Sequence, residues 1–426
     1  MSKWNLLPLG KLSKMRRGAS PRPIDNPEFF SDEGRGWIRI ADLAKTEKYL
    51  LYTSQYLSPK GVSCSVKVDP GDLIISICAT IGKPIIVSIP ACIHDGFVHL
   101  FDYPNCDRDF LYYFLQGNRS KILASAQTGT QGNLNTDILR KFVGLFPEDP
   151  HEQSKIAEVL SAIDVVIEKT KAIIAKYQKI KEGMLQDLLT NGIDEQGQIR
   201  SPKTHKYKPS KLGMIPVEWE CIQLDHAAKI FSGSTPSTAN DANWNGNIVW
   251  LTPADLSMVK YQYVCDSERH ITPTGLSNST NRLLPMGSLI LSTRAPVGYC
   301  AIVQMEFSFN QGCKGLVPFQ YIDPLCLYYV LTIQKKAFER FSSGTTFLEL
   351  PKKELARFLL KMPKRNETGL CEQRKISLKL QQIDAVIERY DETLAKLELQ
   401  KQGLMQDLLT NTVSVEPLLK KGGRAK

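Results

Sequence analysis

The chain has 426 residues, 42% hydrophobic and 23% charged, with 54 Lys and Arg against 44 Asp and Glu for a formal net charge of +10. The basic balance favours an acidic partner, nucleic acid first. The 10 cysteines show no CxxC or paired Cys/His spacing, and no apolar run approaches the roughly 18–20 residues of a membrane span, so a reduced, cytoplasmic protein with no membrane segment is expected.

The first stretch runs from "WNLLPLGKLSKMRRGASPRP" (Trp4–Pro23) through "WIRIADL" (Trp37–Leu43), "GDLIISICATIGKPIIV" (Gly71–Val87) and "DFLYYFL" (Asp109–Leu115) to "TGTQGNLNTDILRKFVGLFP" (Thr128–Pro147). Its Ile, Val and Leu runs, bounded by Gly and Pro, predict buried strands with short helices between them. An α+β domain over residues 1–150 follows. Basic residues crowd Lys11–Arg22, although a charge run alone is most often a solvated face. "NPEFF" (Asn26–Phe30) approaches the Asn-Pro-Pro-Tyr of adenine methyltransferases, but Glu28 replaces the second proline and no cofactor loop accompanies it, so it reads as a turn. His94 and His99, without Cys or carboxylate support, read as core or surface histidines.

Residues 151–192 change period. Ile156, Leu160, Ile163, Ile167, Thr170, Ile174, Tyr177, Lys181, Met184 and Leu188 alternate spacings of four and three, a heptad seam that demands a partner helix. Pro147 and Pro150 suit its start, and Gly183 is expected to weaken or bend its end. A polar connector over 193–218 follows.

The whole plan then repeats. Trp219–Thr238, Trp250–Leu256, Gly287–Val303, Leu325–Leu331 and Ser343–Pro363 parallel the five segments above, giving a second α+β domain over 219–370. Glu372–Asn411 lies over Glu152–Asn191 without a gap, with about half of the positions identical. Its helix, 371–413, carries the matching seam Ile376, Leu380, Ile383, Ile387, Tyr390, Leu394, Leu397, Lys401, Leu404 and Leu408, and the matching Gly403. Two equivalent seams in one chain are expected to pack on each other. The basic tail, 414–426, is expected to be disordered.

No dinucleotide loop, Walker loop or Asp…Glu-x-Lys nuclease cluster is present. Two diverged units, each introduced by Trp…Leu…Gly-x-x-Pro and followed by Glu-Gln-x-x-Ile and a helix ending Leu-Leu-Thr, resemble the specificity subunit of type I restriction-modification systems over nearly the whole chain. "RAPVG" (Arg294–Gly298) with "FNQG" (Phe309–Gly312) adds to the resemblance in the second unit. The first unit departs there, with "CATIG" (Cys78–Gly82) and "HDG" (His94–Gly96). The resemblance implies two target-recognition domains, each reading one half of a split site in double-stranded DNA. The two long helices would pair as an antiparallel coiled coil in a pseudo-two-fold duplication, acting as a spacer and docking two methyltransferase subunits. S-adenosylmethionine and ATP would belong to the methyltransferase and the restriction/translocase subunits, leaving this chain without cofactor, metal or catalysis. Two other classes stay open: an enzyme with an unrecognised site, and a coiled-coil adaptor that binds proteins only.

Base edges are read by polar side chains, while Lys and Arg on phosphates fix position. In the first unit the candidates are Arg16, Arg17, Ser20 and Arg22, with Thr128, Gln131, Asn133 and Asn135. In the second they are Ser234, Thr235, Arg294, Thr345 and Thr346, with Lys352 and Lys353 for phosphates. Any single Asn or Thr here could equally be a turn former. Since the two units differ at nearly every such position, an asymmetric target is expected.

Overall fold

The computed structural model describes residues 3–127, 134–280, 282–342 and 349–421. Strands form where the sequence offers short apolar runs: Leu73–Ser76, Pro84–Val87 and Leu289–Ser292 are buried at every residue, as befits strands covered on both faces. In the first domain the main sheet runs Lys14–Arg17, Phe97–Phe101, Leu73–Ser76, Pro84–Val87, Tyr49–Leu50. In the second it runs Ala228–Ser232, Cys313–Pro318, Leu289–Ser292, Cys300–Val303, Tyr263–Val264. The two orders match strand for strand, antiparallel throughout except for a parallel last pair in each. What is duplicated is therefore a topology as well as a helix.

A second sheet accompanies each. In the first domain it has five strands, with Ala91–Ile93 parallel to Arg35–Ile38; in the second it has three, with Phe307–Phe309 parallel to Trp244–Leu251. A two-stranded ribbon, Trp4–Pro8 with Val143–Pro147 and likewise Trp219–Gln223 with Leu359–Pro363, closes each domain and leads into a long helix.

Those helices are Pro150–Asn191 and Glu367–Leu409, of 42 and 43 residues, each about 60 Å long at a rise of ~1.5 Å per residue. The second begins earlier than expected. Asn366 Oδ1 accepts the Gly369 N–H at 2.8 Å, a cap that the repeat could not reveal because identity starts only at Glu372. Both helices run through Gly183 and Gly403, where weakening or a bend is expected, as continuous helix, and a Cβ on either glycine would meet nothing within 4 Å.

The chain forms two compact units, and each takes part of both helices: Met1–Thr170 with Thr393–Lys426, and Lys171–Glu392. In the first, Phe110, Tyr113 and Phe146 share a core with Ile156 and Leu160 of the first helix and Met405, Leu408 and Leu409 of the second. In the second unit, Tyr329, Leu331 and Met362 share one with Ile376 and Leu380 of the second helix and Leu188 and Leu189 of the first. Within each unit the early part of one helix thus lies with the late part of the other, which is antiparallel pairing. Of the expected seam, Ile156, Leu160, Ile167, Ile174, Leu188, Ile376, Leu380, Ile387 and Leu408 are buried, and Ile163, Ile383 and Leu394 half-buried.

The residues shared by the repeats tie each domain to its helix. The Trp4 indole donates to Glu152 at 3.3 Å and that of Trp219 to Glu372 at 3.0 Å. Gln153 and Gln373 accept the backbone N–H of Asp107 and Asp323 at 2.8 and 2.9 Å. Tyr113 and Tyr329 donate to Asp164 and Asp384 at 2.6 and 2.7 Å, and those carboxylates also hold Lys401 and Lys181. A lysine at a seam position is explained by that partner.

Two expectations change. The connector contains a hairpin, Tyr207–Ser210 with Gly213–Pro216, and a buried Arg200 that forks onto Glu372 at 2.5 and 3.1 Å. The tail expected to be disordered from residue 414 instead carries Val415, 2% exposed in the first unit's core, and then the helix Glu416–Lys421. Residues 422–426 of that tail lie outside the described residues.

Candidate nucleic-acid interface

In the first domain the strand Lys14–Arg17 and the loop after it run beside the turn His94–Gly96. Gly18 packs so close that a Cβ would collide with the His94 carbonyl. Asp95 gathers the polar groups: its carbonyl accepts Arg17 Nε at 2.9 Å, Oδ1 accepts the Ser20 hydroxyl at 3.0 Å, and Oδ2 accepts Arg22 at 3.1 Å. Burial alone would raise its pKa, but His94, Ser20, Arg22 and Arg17 outweigh that and lower it. His94 Nδ1 accepts the Gly96 N–H at 2.9 Å, so the imidazole is neutral with its proton on Nε2, and burial lowers its pKa accordingly. Its 3.0 Å approach to Asp95 becomes an ion pair only when the ring is protonated. Arg39, bonded to Gln55 at 2.9 Å, lies over Trp37, whose ring is 5.8 Å from that of His94.

The second domain builds the same turn from Asn310–Gly312. Asn310 Oδ1 accepts the Gly312 N–H at 3.0 Å, and Gly233 presses on the Asn310 carbonyl as Gly18 does on that of His94. Thr235 donates to Gln311 Oε1 at 2.5 Å, matching Ser20 on Asp95. The cations have moved, however. Where the first domain has Cys78, the second has Arg294, whose guanidinium meets Glu349 at 2.9 Å; the buried Lys314 lies 4.0 Å from Glu349 and donates to the Gln311 carbonyl. Burial lowers the Lys314 pKa. Arg269 stacks 3.6 Å from the Trp244 ring centroid, and the Trp250 indole donates to the Ser234 carbonyl at 3.2 Å.

Arg17, Ser20 and Arg22 therefore converge on Asp95, whereas in the second unit Thr235 meets Gln311, Arg294 turns to Glu349, and Ser234 is placed by its carbonyl on Trp250. Arg16 does not join its neighbours, because successive side chains of a strand face opposite sides; it reaches the Lys67 carbonyl and covers Phe101. Asn135 caps a helix, accepting from the N–H groups of Asp137 and Ile138. Lys352 and Lys353 are exposed at the start of the short helix Lys352–Ala356. Thr128, Gln131, Asn133, Thr345 and Thr346 lie outside the described residues. The sequence reading missed Arg39, Asp95, Gln311 and Lys314; the signal was the Gly-ended turn shared by "HDG" and "FNQG", which it took for a point of divergence. Among the described residues no group of His, Cys, Asp and Glu could hold a metal ion, and no helix is long and apolar enough to cross a membrane.

Two copies of one α+β fold, each presenting a basic polar turn and each seated on the start of a long helix, define a duplicated recognition architecture. The type I restriction modification DNA specificity domain matches residues 1–178 and again 216–399, and the chain belongs to that family. It is 32% identical over 200 residues to the MjaIX type I restriction enzyme specificity subunit of Methanocaldococcus jannaschii, 46% of this chain and 45% of that one. The chain thus spans about half the length of that relative. It is 26% identical over 311 residues to the putative MjaX specificity subunit of the same organism, 72% of this chain and 67% of that one. Among solved structures, the S subunit of a type I restriction-modification system from M. genitalium aligns with a TM-score of 0.60 at 16% identity, over 96% of each chain. A chain from a study of complex assembly and conformational transition of the type I system aligns with a TM-score of 0.57 at 17% identity, over 95% of this chain and 97% of that one. At such identities the likeness shows the fold alone.

Proposed function

We propose that the chain is the DNA-reading subunit of a type I restriction-modification complex and works in the cytoplasm. Each unit reads one half of an asymmetric bipartite site, and the paired helices hold the two readers and dock two methyltransferase subunits and the restriction/translocase subunits. The chain itself catalyses nothing; S-adenosylmethionine and ATP are handled by those partners. One observation carries the reading: the same turn, on the same topology, bears different polar and charged side chains in the two units. A duplicated scaffold with diverged loop chemistry suits two half-sites of different sequence, with cations for phosphates and polar groups for base edges.

The test is methylation mapping in a host that expresses the chain with its methyltransferase partner. A single bipartite motif with unlike halves is expected. Methyl transfer by the purified chain alone, or methylation with no sequence preference, would overturn the assignment.

A further inference from the structure

The turns His94–Gly96 and Asn310–Gly312 share the hydrogen bonds that frame them. Each closes on itself through the side chain of its first residue, and Ile77 and Thr293 donate to the carbonyls of Gly96 and Gly312, both at 2.8 Å. Each middle residue takes the hydroxyl of an equivalent loop residue, Ser20 on Asp95 and Thr235 on Gln311. The backbone thus places Asp95 and Gln311 alike, while their chemistry differs. Asp95 is ionised and can only accept; Gln311 both accepts and donates. Asp95 is half-buried and flanked by the exposed Arg22, while Gln311 is exposed and its carbonyl is held by the buried Lys314.

A carboxylate on a basic face weakens attraction to phosphates unless it has another use. Clamping arginines is one, but the equivalent Gln311 clamps none: in that unit Arg294 is held by Glu349. We propose that Asp95 and Gln311 are equivalent base-reading residues, Asp95 selecting a base that offers an exocyclic amine in the major groove (cytosine or adenine) and Gln311 selecting adenine through a paired contact. Guanine and thymine present acceptors at the edge Asp95 would face, and like-signed acceptors exclude them. The proposal rests on the DNA-reading function above and names its specificity residues.

The experiment maps methylation by long-read sequencing in cells expressing the partner methyltransferase with the wild-type chain, Asp95→Asn or Gln311→Glu. Asp95→Asn keeps an acceptor for Ser20 but adds a donor. It is expected to reduce discrimination at one position of one half-site by about 10-fold or more, admitting guanine or thymine there, with the other half-site untouched. Gln311→Glu, on an exposed side chain whose change leaves the fold alone, is expected to shift one position of the other half-site from adenine toward cytosine. Unchanged base preference at every position in both variants, with or without an overall fall in methylation, would overturn the proposal and leave the DNA-reading function standing. A wild-type chain that directs no sequence-specific methylation would overturn that function instead.

Discussion

Lys181 Nζ stands 2.5 Å from Asp384 Oδ1, and the Tyr329 hydroxyl donates to the other oxygen of that carboxylate at 2.7 Å. The Asp384 side chain is 5% exposed and that of Lys181 28%. Removing the cation strands a buried charge, a change that costs about 3–5 kcal/mol where both partners are buried. Because Lys181 is partly exposed, Lys181→Met should cost less, on the order of 2 kcal/mol. Adding Asp384→Asn should recover part of the loss, with a coupling energy of about 1–2 kcal/mol in urea denaturation. Strictly additive effects would show that the pair contributes nothing to helix pairing.

The two mid-helix glycines give the opposite sign. Neither Gly183 nor Gly403 has a neighbour within 4 Å of an added Cβ, and both lie in unbroken helix. Gly183→Ala and Gly403→Ala should each stabilise the chain by up to ~1 kcal/mol. A lower denaturation midpoint in either variant would mean that the backbone there departs from regular helix.

His94 holds its turn as a hydrogen-bond acceptor, the role Asn310 plays in the second domain. His94→Asn should therefore keep the turn, while His94→Ala should cost about 1 kcal/mol for the unpaired Gly96 N–H. The two also separate by pH. A folded-state pKa held below the ordinary 6.5 by burial means that the stabilisation is complete above that value and is lost as pH falls through the folded pKa. The wild-type chain should lose stability relative to His94→Asn as buffer is taken from about pH 7 to pH 5. A constant difference between them across that range would assign the imidazole another protonation state.

Salt dependence sorts the arginines. If Arg17, Arg22 and Arg39 meet phosphates, each change to Ala should shallow the slope of log K against log salt by about 0.9 in the assembled complex. Arg16→Ala should leave it unchanged, since that side chain lies on the other face of its strand. Fluorescence titration of a labelled duplex at several salt concentrations gives the slopes; a shallower slope for Arg16→Ala alone would place the DNA on the opposite face.

What was legible in the sequence depended on range along the chain. The helix seam could be read because its period is local and stated twice, down to Lys181 and Lys401, whose partners sit at the equally matched Asp384 and Asp164. The recognition surface was legible only in part. Arg17, Ser20 and Arg22 are neighbours in sequence, but Asp95 reaches them because Phe97–Phe101 pairs with Lys14–Arg17, Val98 opposite Arg17. No local pattern encodes that register. Asn135 has a further role that its Gly- and Thr-rich stretch does not disclose: its carbonyl oxygen accepts two helix N–H groups.

The duplication permits one stronger test. In the first unit the second helix supplies Lys401 to Asp164, and Met405, Leu408 and Leu409 to the core around Ile156 and Leu160. The repeat places Lys181, Leu185, Leu188 and Leu189 at those same four positions of the first helix. A chain ended after Gly192 loses the second helix, yet another copy of itself carries a near-equivalent one. Such half-chains should form a two-fold dimer, each helix giving its late residues to the other copy's early ones. Val415 has no counterpart, since the repeat puts Glu195 there, so the first unit's core loses one buried side chain, worth about 1.5–3 kcal/mol. The dimer should accordingly be less stable than the intact chain and should dissociate on dilution. Sedimentation across a concentration series would follow this, and Lys181→Met in the half-chain should weaken the dimer because it now strands Asp164. A half-chain that stays monomeric at tens of micromolar, or a dimer indifferent to Lys181→Met, would show that this helix cannot stand in for its repeat.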